Sequence, residues 1–165
     1  MKNKLATIMI SAAFMAAGCN TSTQPAAEDT FEYTNERFAD LQMLRYKVEG
    51  FEDLTLKQKT FIYYLQEAAL YGRDILFDQN GKYNLQVRKT LEVIYTTYKG
   101  NKKSANFKAL EKYLKQVWFA NGIHHHYSKD KFTPEFSQKF FNQRLKAIPK
   151  SKLPLMKGQT KSSFI

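Results

Sequence analysis

All three histidines of the chain stand together, in "NGIHHHYSKDKFTPEF" from Asn121 to Phe136. Adjacent imidazoles raise the question of metal chemistry. In an extended segment His124 and His126 share a face ~7 Å apart while His125 points away. In a helix the three fan out in ~100° steps. Neither arrangement brings three nitrogens to one ion, and a zinc site wants three or four ligands held by further hydrogen bonds. The sequence holds no other histidine, no His-Glu-x-x-His and no Cys-x-x-Cys, and the nearest carboxylate, Asp130, lies among lysines. The expected behaviour is weak, adventitious binding of nickel or zinc. No metal ligand and no catalytic residue is assigned. A Gly-x-Ser-x-Gly elbow, a phosphate loop and a Gly-x-Gly-x-x-Gly fingerprint are also missing.

The second reactive side chain is Cys19, the only cysteine. It follows a short basic start, Met1 to Lys4, an apolar run, Leu5 to Ala17, and Gly18. The run is too short for the ~20 residues of a spanning helix and reads as the core of an export signal. Small residues before a lone cysteine are the pattern read by lipoprotein processing, although Ala16 stands where a larger aliphatic residue is commoner. Residues 1–18 are therefore expected to be a lipoprotein signal peptide, and Cys19 the lipidated residue. The expected location is the bacterial cell envelope, on the outer membrane, with the bilayer as partner through acylated Cys19. No thiol is then left for a disulfide or a cysteine nucleophile.

Two of the 26 basic residues, Lys2 and Lys4, fall in the signal, leaving 24 against 15 acidic and a net charge of +9. Such an excess raises a nucleic-acid reading. The lysines, however, alternate with acids and apolar residues, as in "KYLKQ", and nothing resembles a recognition helix or a zinc finger. Nucleic acid is excluded as a partner; a solvated basic surface facing anionic lipid or acidic ligands fits better.

Residues 19–30 are polar and aperiodic, a tether. The spacing then predicts a mainly α fold with about four helices and a short strand. From Phe38 to Val48 the signals conflict: Phe38, Leu41 and Leu44 step by three, whereas Leu44, Tyr46 and Val48 alternate. The strand is expected over Met43 to Val48. Thr55 and Gln58 form a capping-box pair opening a helix. Its apolar face would carry Phe61, Ile62, Leu65, Ala68, Ala69, Gly72, Ile75 and Leu76. "DQNGKY" stops it, with Gly81 free to take positive φ. A second helix carries Val87, Leu91, Ile94, Tyr95 and Tyr98. A third runs from Ser104 to Ala120 with Phe107, Leu110, Leu114, Val117 and Trp118 on one face. Thr133 and Pro134 look like an N-cap and first helical position for a fourth, which carries Phe136, Phe140, Phe141 and Leu145. "SKLPLMKGQTKSSFI" shows no period.

Two stretches resemble the dipeptidyl peptidase III family of zinc exopeptidases. "YYLQEAALYGRDILFDQN", Tyr63 to Asn80, is similar to an early helix of that family with an Ala-Ala-x-x-Gly core. "NGIHHHYSKDKFTPEF" is similar to its segment in which Asn and Gly precede an aromatic-Ser step and then Asp, Lys, Phe and Pro. With the intervening helices, the resemblance covers roughly residues 38–155.

The resemblance implies a two-lobed peptidase, α+β in its parent lobe, that removes dipeptides from peptide N-termini. Zinc would be held by a His-Glu-x-x-Gly-His motif and a later glutamate, with the motif glutamate as general base. This chain contains no such motif, so residues 31–165 would be a partial N-terminal lobe, with no cofactor of their own and no activity alone. Asn121, Gly122, Tyr127, Ser128, Lys131, Phe132 and Pro134 match the pattern and would line or support the peptide cleft. The step from Ser128 to Lys131 is shorter than the family's and lacks a glycine before Asp130. A packed loop of structural value only is the other reading of the segment. For the whole chain, the alternative is a small envelope lipoprotein that binds peptides or a partner without catalysis.

Overall fold

Among the described residues the first element is a tight antiparallel hairpin. In the computed structural model, which describes residues 30–165, strand β1 (Thr34–Phe38) pairs with β2 (Leu41–Leu44). Ala39 turns the corner at a φ of 50°. The strand expected over Met43 to Val48 is thus displaced: it stops at Leu44, and residues 45–48 form no strand. The Arg45 amide still donates to the Tyr33 carbonyl at 2.8 Å. Its partner strand was hidden in sequence because "TNERF" is polar and barely alternates. The signal peptide, Cys19 and the tether as far as residue 29 lie outside the described residues.

Six helices follow: α1 (Leu56–Tyr71), α2 (Arg73–Gln79), α3 (Asn84–Thr97), α4 (Ala105–Ala120), α5 (Gln138–Ala147) and the four-residue α6 (Lys161–Phe164). The fold is mainly α with one short hairpin. Among the described residues no helix is long and apolar enough to cross a membrane.

The expected capping box is present. The Thr55 side chain accepts from the Gln58 amide, and the Gln58 side chain accepts from the Thr55 amide at 2.9 Å. The single helix expected there is two, however. At Gly72 the amide reaches back to Ala69 at 3.1 Å, a tightened turn, and the chain restarts as α2. Gly81 takes no positive φ. It is small for another reason: a Cβ there would lie 3.0 Å from the Asn84 side-chain nitrogen.

The helix expected from Thr133–Pro134 begins four residues later. Ser137 is its N-cap, accepting from the Phe140 amide at 3.2 Å, and its own amide donates to the Asn106 side chain at 2.8 Å. That bond to α4 pins the start where tertiary contact is available. The tail expected to be aperiodic holds a 3-10 turn (Lys150–Lys152) and α6.

The core lies among α2 to α5. Phe77, Leu91, Ile94, Leu110, Leu114 and Val117 are essentially fully buried, joined by Leu145, Ile148 and Leu153. Each such side chain contributes about 1.5–3 kcal/mol on burial. Trp118, expected on the buried face of α4, is 40% exposed, with its indole N–H on Glu92 at 2.8 Å. Arg88 ties α2 to α3: it stacks on Phe77 at 4.5 Å, bonds to Asp74 and sits 3.3 Å from Glu92. Lys115 joins β1 to α4. Burial would pull its ammonium down, but bonds to Glu36 and Glu111 hold it above the usual lysine range.

The exception is α1. The face expected to be apolar and inward buries nothing: Phe61, Ile62, Leu65, Ala68, Ala69 and Gly72 are all exposed, as are Leu56 (81%), Tyr63, Tyr64, Leu70 and Tyr71 (88%) elsewhere around the helix. Ile75 and Leu76 in α2 are exposed too.

Candidate functional site

The histidine loop is built on the end of α4. Asn121 ends that helix in the left-handed region, φ 52°, which a short polar side chain tolerates. Gly122 follows, buried against the start of α3: a Cβ there would fall 2.4 Å from the Asn84 side-chain nitrogen. The same Asn84 side chain accepts from the Ile123 amide at 3.3 Å, so one buried amide group anchors the loop to α3. Its nitrogen is buried and makes no hydrogen bond.

From Ile123 to Phe132 the chain doubles back. The Phe132 amide donates to Ile123 at 2.9 Å, His125 donates to the Asp130 carbonyl at 2.8 Å, and His124 bridges to Lys131. Ser128 closes the tip: its hydroxyl accepts from the Asp130 amide at 3.1 Å and donates to the Asp130 carboxylate at 3.0 Å. The shortened step between Ser128 and Lys131 is therefore a self-bonded turn.

The histidines follow neither the extended nor the helical arrangement, because the turn sets their directions. The His125 and His126 rings lie side by side, centroids 4.4 Å apart, and Tyr127 extends the row at 4.1 Å from His126. Phe119 meets His126 edge-on at 5.0 Å, and Phe132 meets His125 at 6.0 Å. The His125 Nε2 lies 3.8 Å from Asp40 at the hairpin turn. Among the described residues, no three His, Cys, Asp or Glu side chains converge as a metal set.

A polar cavity of about 390 Å³ opens beside the loop, lined by His124, His125, His126, Ser128, Lys129, Asn80, Asn84, Ala120 and Gly122. Of the seven residues expected to line or support the cleft, only Gly122 and Ser128 line it. Asn121 faces a different cavity, with Phe38 and Phe119, and its carbonyl accepts from Asn80 at 3.2 Å. Phe132 packs against the core, Tyr127 is 88% exposed outside the cavity, and Lys131 is exposed beside its bridge to His124. Pro134 borders a separate apolar cavity with Phe136 and Tyr113, where burial pushes the Tyr113 phenol up.

Sequence reasoning gives Asn80 and Asn84 no site role: "DQNGKY", Asp78 to Tyr83, reads there as a helix stop, and Asn84 just beyond it is not considered. The available signal was Asn84 itself, which opens α3 from its first position while the Tyr83 cap makes no side-chain bond. The cavity offers imidazole edges, an ammonium and a hydroxyl, which suits a polar ligand such as a peptide end.

Compared with family models and with curated proteins, the chain matches none of them, so a functional reading stands on the residues and geometry described above.

Proposed function

We propose that these residues form part of the N-terminal lobe of a zinc dipeptidyl peptidase III-like enzyme, with the histidine loop beside the peptide cleft. The observation that carries the reading is α1. Large apolar side chains stand open to water around α1 and into α2, from Leu56 to Leu76, and exposed apolar surface gathered on one element is a mark of an interaction site. In the proposed enzyme, the remainder of the lobe covers it. The matched Ala68–Ala69 pair is exposed on this helix, small residues suited to close approach by another element.

The residues described do not fit the family's zinc. The His125 and His126 rings lie against each other, and among the described residues no three His, Cys, Asp or Glu side chains are placed to share one ion. In the proposal, metal chemistry belongs to residues outside this chain, and the chain supplies surface and positioning. Its polar cavity would take part of a short peptide.

The deciding test is to read the gene past the codon for Ile165. An encoded His-Glu-x-x-Gly-His segment in any frame supports the proposal; unrelated sequence there sinks it. The purified chain, supplied with zinc, is expected to release no dipeptide from a dipeptidyl-naphthylamide, and release that a chelator abolishes would overturn this.

A second reading is favoured by the core of α2 to α5, which closes on itself. An envelope lipoprotein that captures a partner on α1 would need no further lobe. Cooperative unfolding of a monomer that binds little ANS favours that reading; strong ANS binding favours the first. Both readings share the anchor: Cys19→Ala is expected to move the protein from the detergent phase to the soluble fraction.

A further inference from the structure

Arg88 and Arg144 both stack on aromatic rings, and of these two only Arg88 is answered by carboxylates among the described residues. Arg88 lies on Phe77 with Asp74 and Glu92 beside it. Arg144, in the last turn of α5, lies 5.5 Å from the Tyr98 ring and 5.7 Å from the Phe140 ring. Its Nε is buried without any hydrogen-bond partner, and it forms no ion pair among the described residues. That one buried N–H retains the cost of its lost hydration until an acceptor meets it.

Arg144 lines a cavity of about 410 Å³ with Lys99 and Lys152, and no Asp or Glu lines it. The three cations come from the end of α3, the end of α5 and the 3-10 turn. The ordinary explanation for cations here is the carbonyl end of α5. That end is already served: the Lys161 ammonium donates to the Lys146 carbonyl at 2.8 Å and to the Ile148 carbonyl at 2.6 Å. From Phe136 to Ile165 the sequence holds seven basic residues and no acidic one, so no nearby carboxylate competes. Gly100 keeps the aromatic wall in place, since a Cβ there would strike the Tyr98 phenol at 2.6 Å.

We propose that the cavity bordered by Lys99, Arg144 and Lys152 is a phosphate-binding site. Three cations suit a phosphate better than a singly charged carboxylate, and a planar guanidinium presents two parallel N–H groups to its oxygens. The ligand is a phosphate group, carried either by a small phosphate compound or by a phospholipid headgroup. The site is separate from the histidine loop and does not depend on the peptidase reading.

The test is calorimetric titration of the full chain, at low ionic strength, with two soluble probes: inorganic phosphate and the phosphodiester glycerophosphoglycerol. Saturable one-to-one binding of at least one is expected. Arg144→Gln should weaken it at least about tenfold, the worth of a lost charge-assisted hydrogen bond. Lys152→Gln, at an exposed position with no structural role, should weaken it less. Lys57→Gln on α1, an equal loss of charge far along the chain, should change nothing. Preference for inorganic phosphate assigns the site to a small phosphate compound; equal or tighter binding of the diester assigns it to a lipid headgroup. Absence of saturable binding, or equal weakening by Lys57→Gln and the cavity variants, overturns the proposal.

Discussion

Helices α1 and α4 are both sixteen residues long, and both begin at a hydroxyl side chain that caps the first turn, Thr55 and Ser104. Yet α4 buries Phe107, Leu110, Tyr113, Leu114 and Val117, while α1 buries nothing. The cap and the run of helix-forming residues are local matters and act alike in both. Burial requires a second surface, which α3 and the segments near α5 give to α4. Among the described residues nothing gives one to α1. A helix can thus be well written and still have no place to pack, which is the state expected of an element awaiting a partner.

The largest effect should separate these helices directly. Leu114→Ala removes a side chain with no exposure and is expected to cost about 2–5 kcal/mol in urea unfolding. Leu65→Ala, at 53% exposure, should stay within about 0.5 kcal/mol. Equal losses at the two positions would mean that α1 is covered in solution, and the comparison would fail.

A smaller loss is expected at the joint between α3 and the histidine loop. Gly122→Ala drives a methyl group into the Asn84 side chain and should cost about 1–3 kcal/mol. Pairing it with Asn84→Ala, which clears the space, should recover part of the loss. Additive losses in the double variant would show that the two residues do not meet.

Next in size is a pH effect confined to the packed region. Lys89 and then Arg88, bonded to Asp74, hold its carboxyl below the usual range. A depressed folded-state value means that the contribution to stability is full above the unfolded value of about 3.9 and is lost as pH falls through the folded one. Asp74→Asn should flatten the fall in melting temperature below about pH 4, by a modest amount because the carboxylate is half exposed. An unchanged acid limb would show that this cluster is not linked to unfolding. Smallest of all is Tyr127→Ala. At 88% exposure it should leave stability within about 0.5 kcal/mol, and a larger drop would make the aromatic row structural.

What was legible in sequence was whatever a few neighbouring residues decide. The capping box at Thr55, the span of α4 and its inward face of Phe107, Leu110, Leu114 and Val117 follow from side-chain reach and the helical period. The mainly α class follows from the same signals. The hairpin was missed in part because pairing, and not residue preference, makes Thr34–Phe38 a strand. The start of α5 shifted because Ser137 could reach Asn106, a residue 31 positions earlier.

Of the expected cleft set, Gly122 and Ser128 meet in one cavity, while Tyr127 and Lys131 face away from it, because the self-bonded turn at Ser128 sets the direction of each side chain. The sequence by itself thus determined where the longer helices lie and where α1 begins, since caps and periodicity act within a turn or two. Tertiary structure alone decided that α1 lies bare, that Asn84 grips Gly122, and that Lys99, Arg144 and Lys152 share one cavity. These outcomes depend on which surfaces remain after the core of α2 to α5 has closed. Contacts between residues dozens of positions apart leave no periodic trace along the chain.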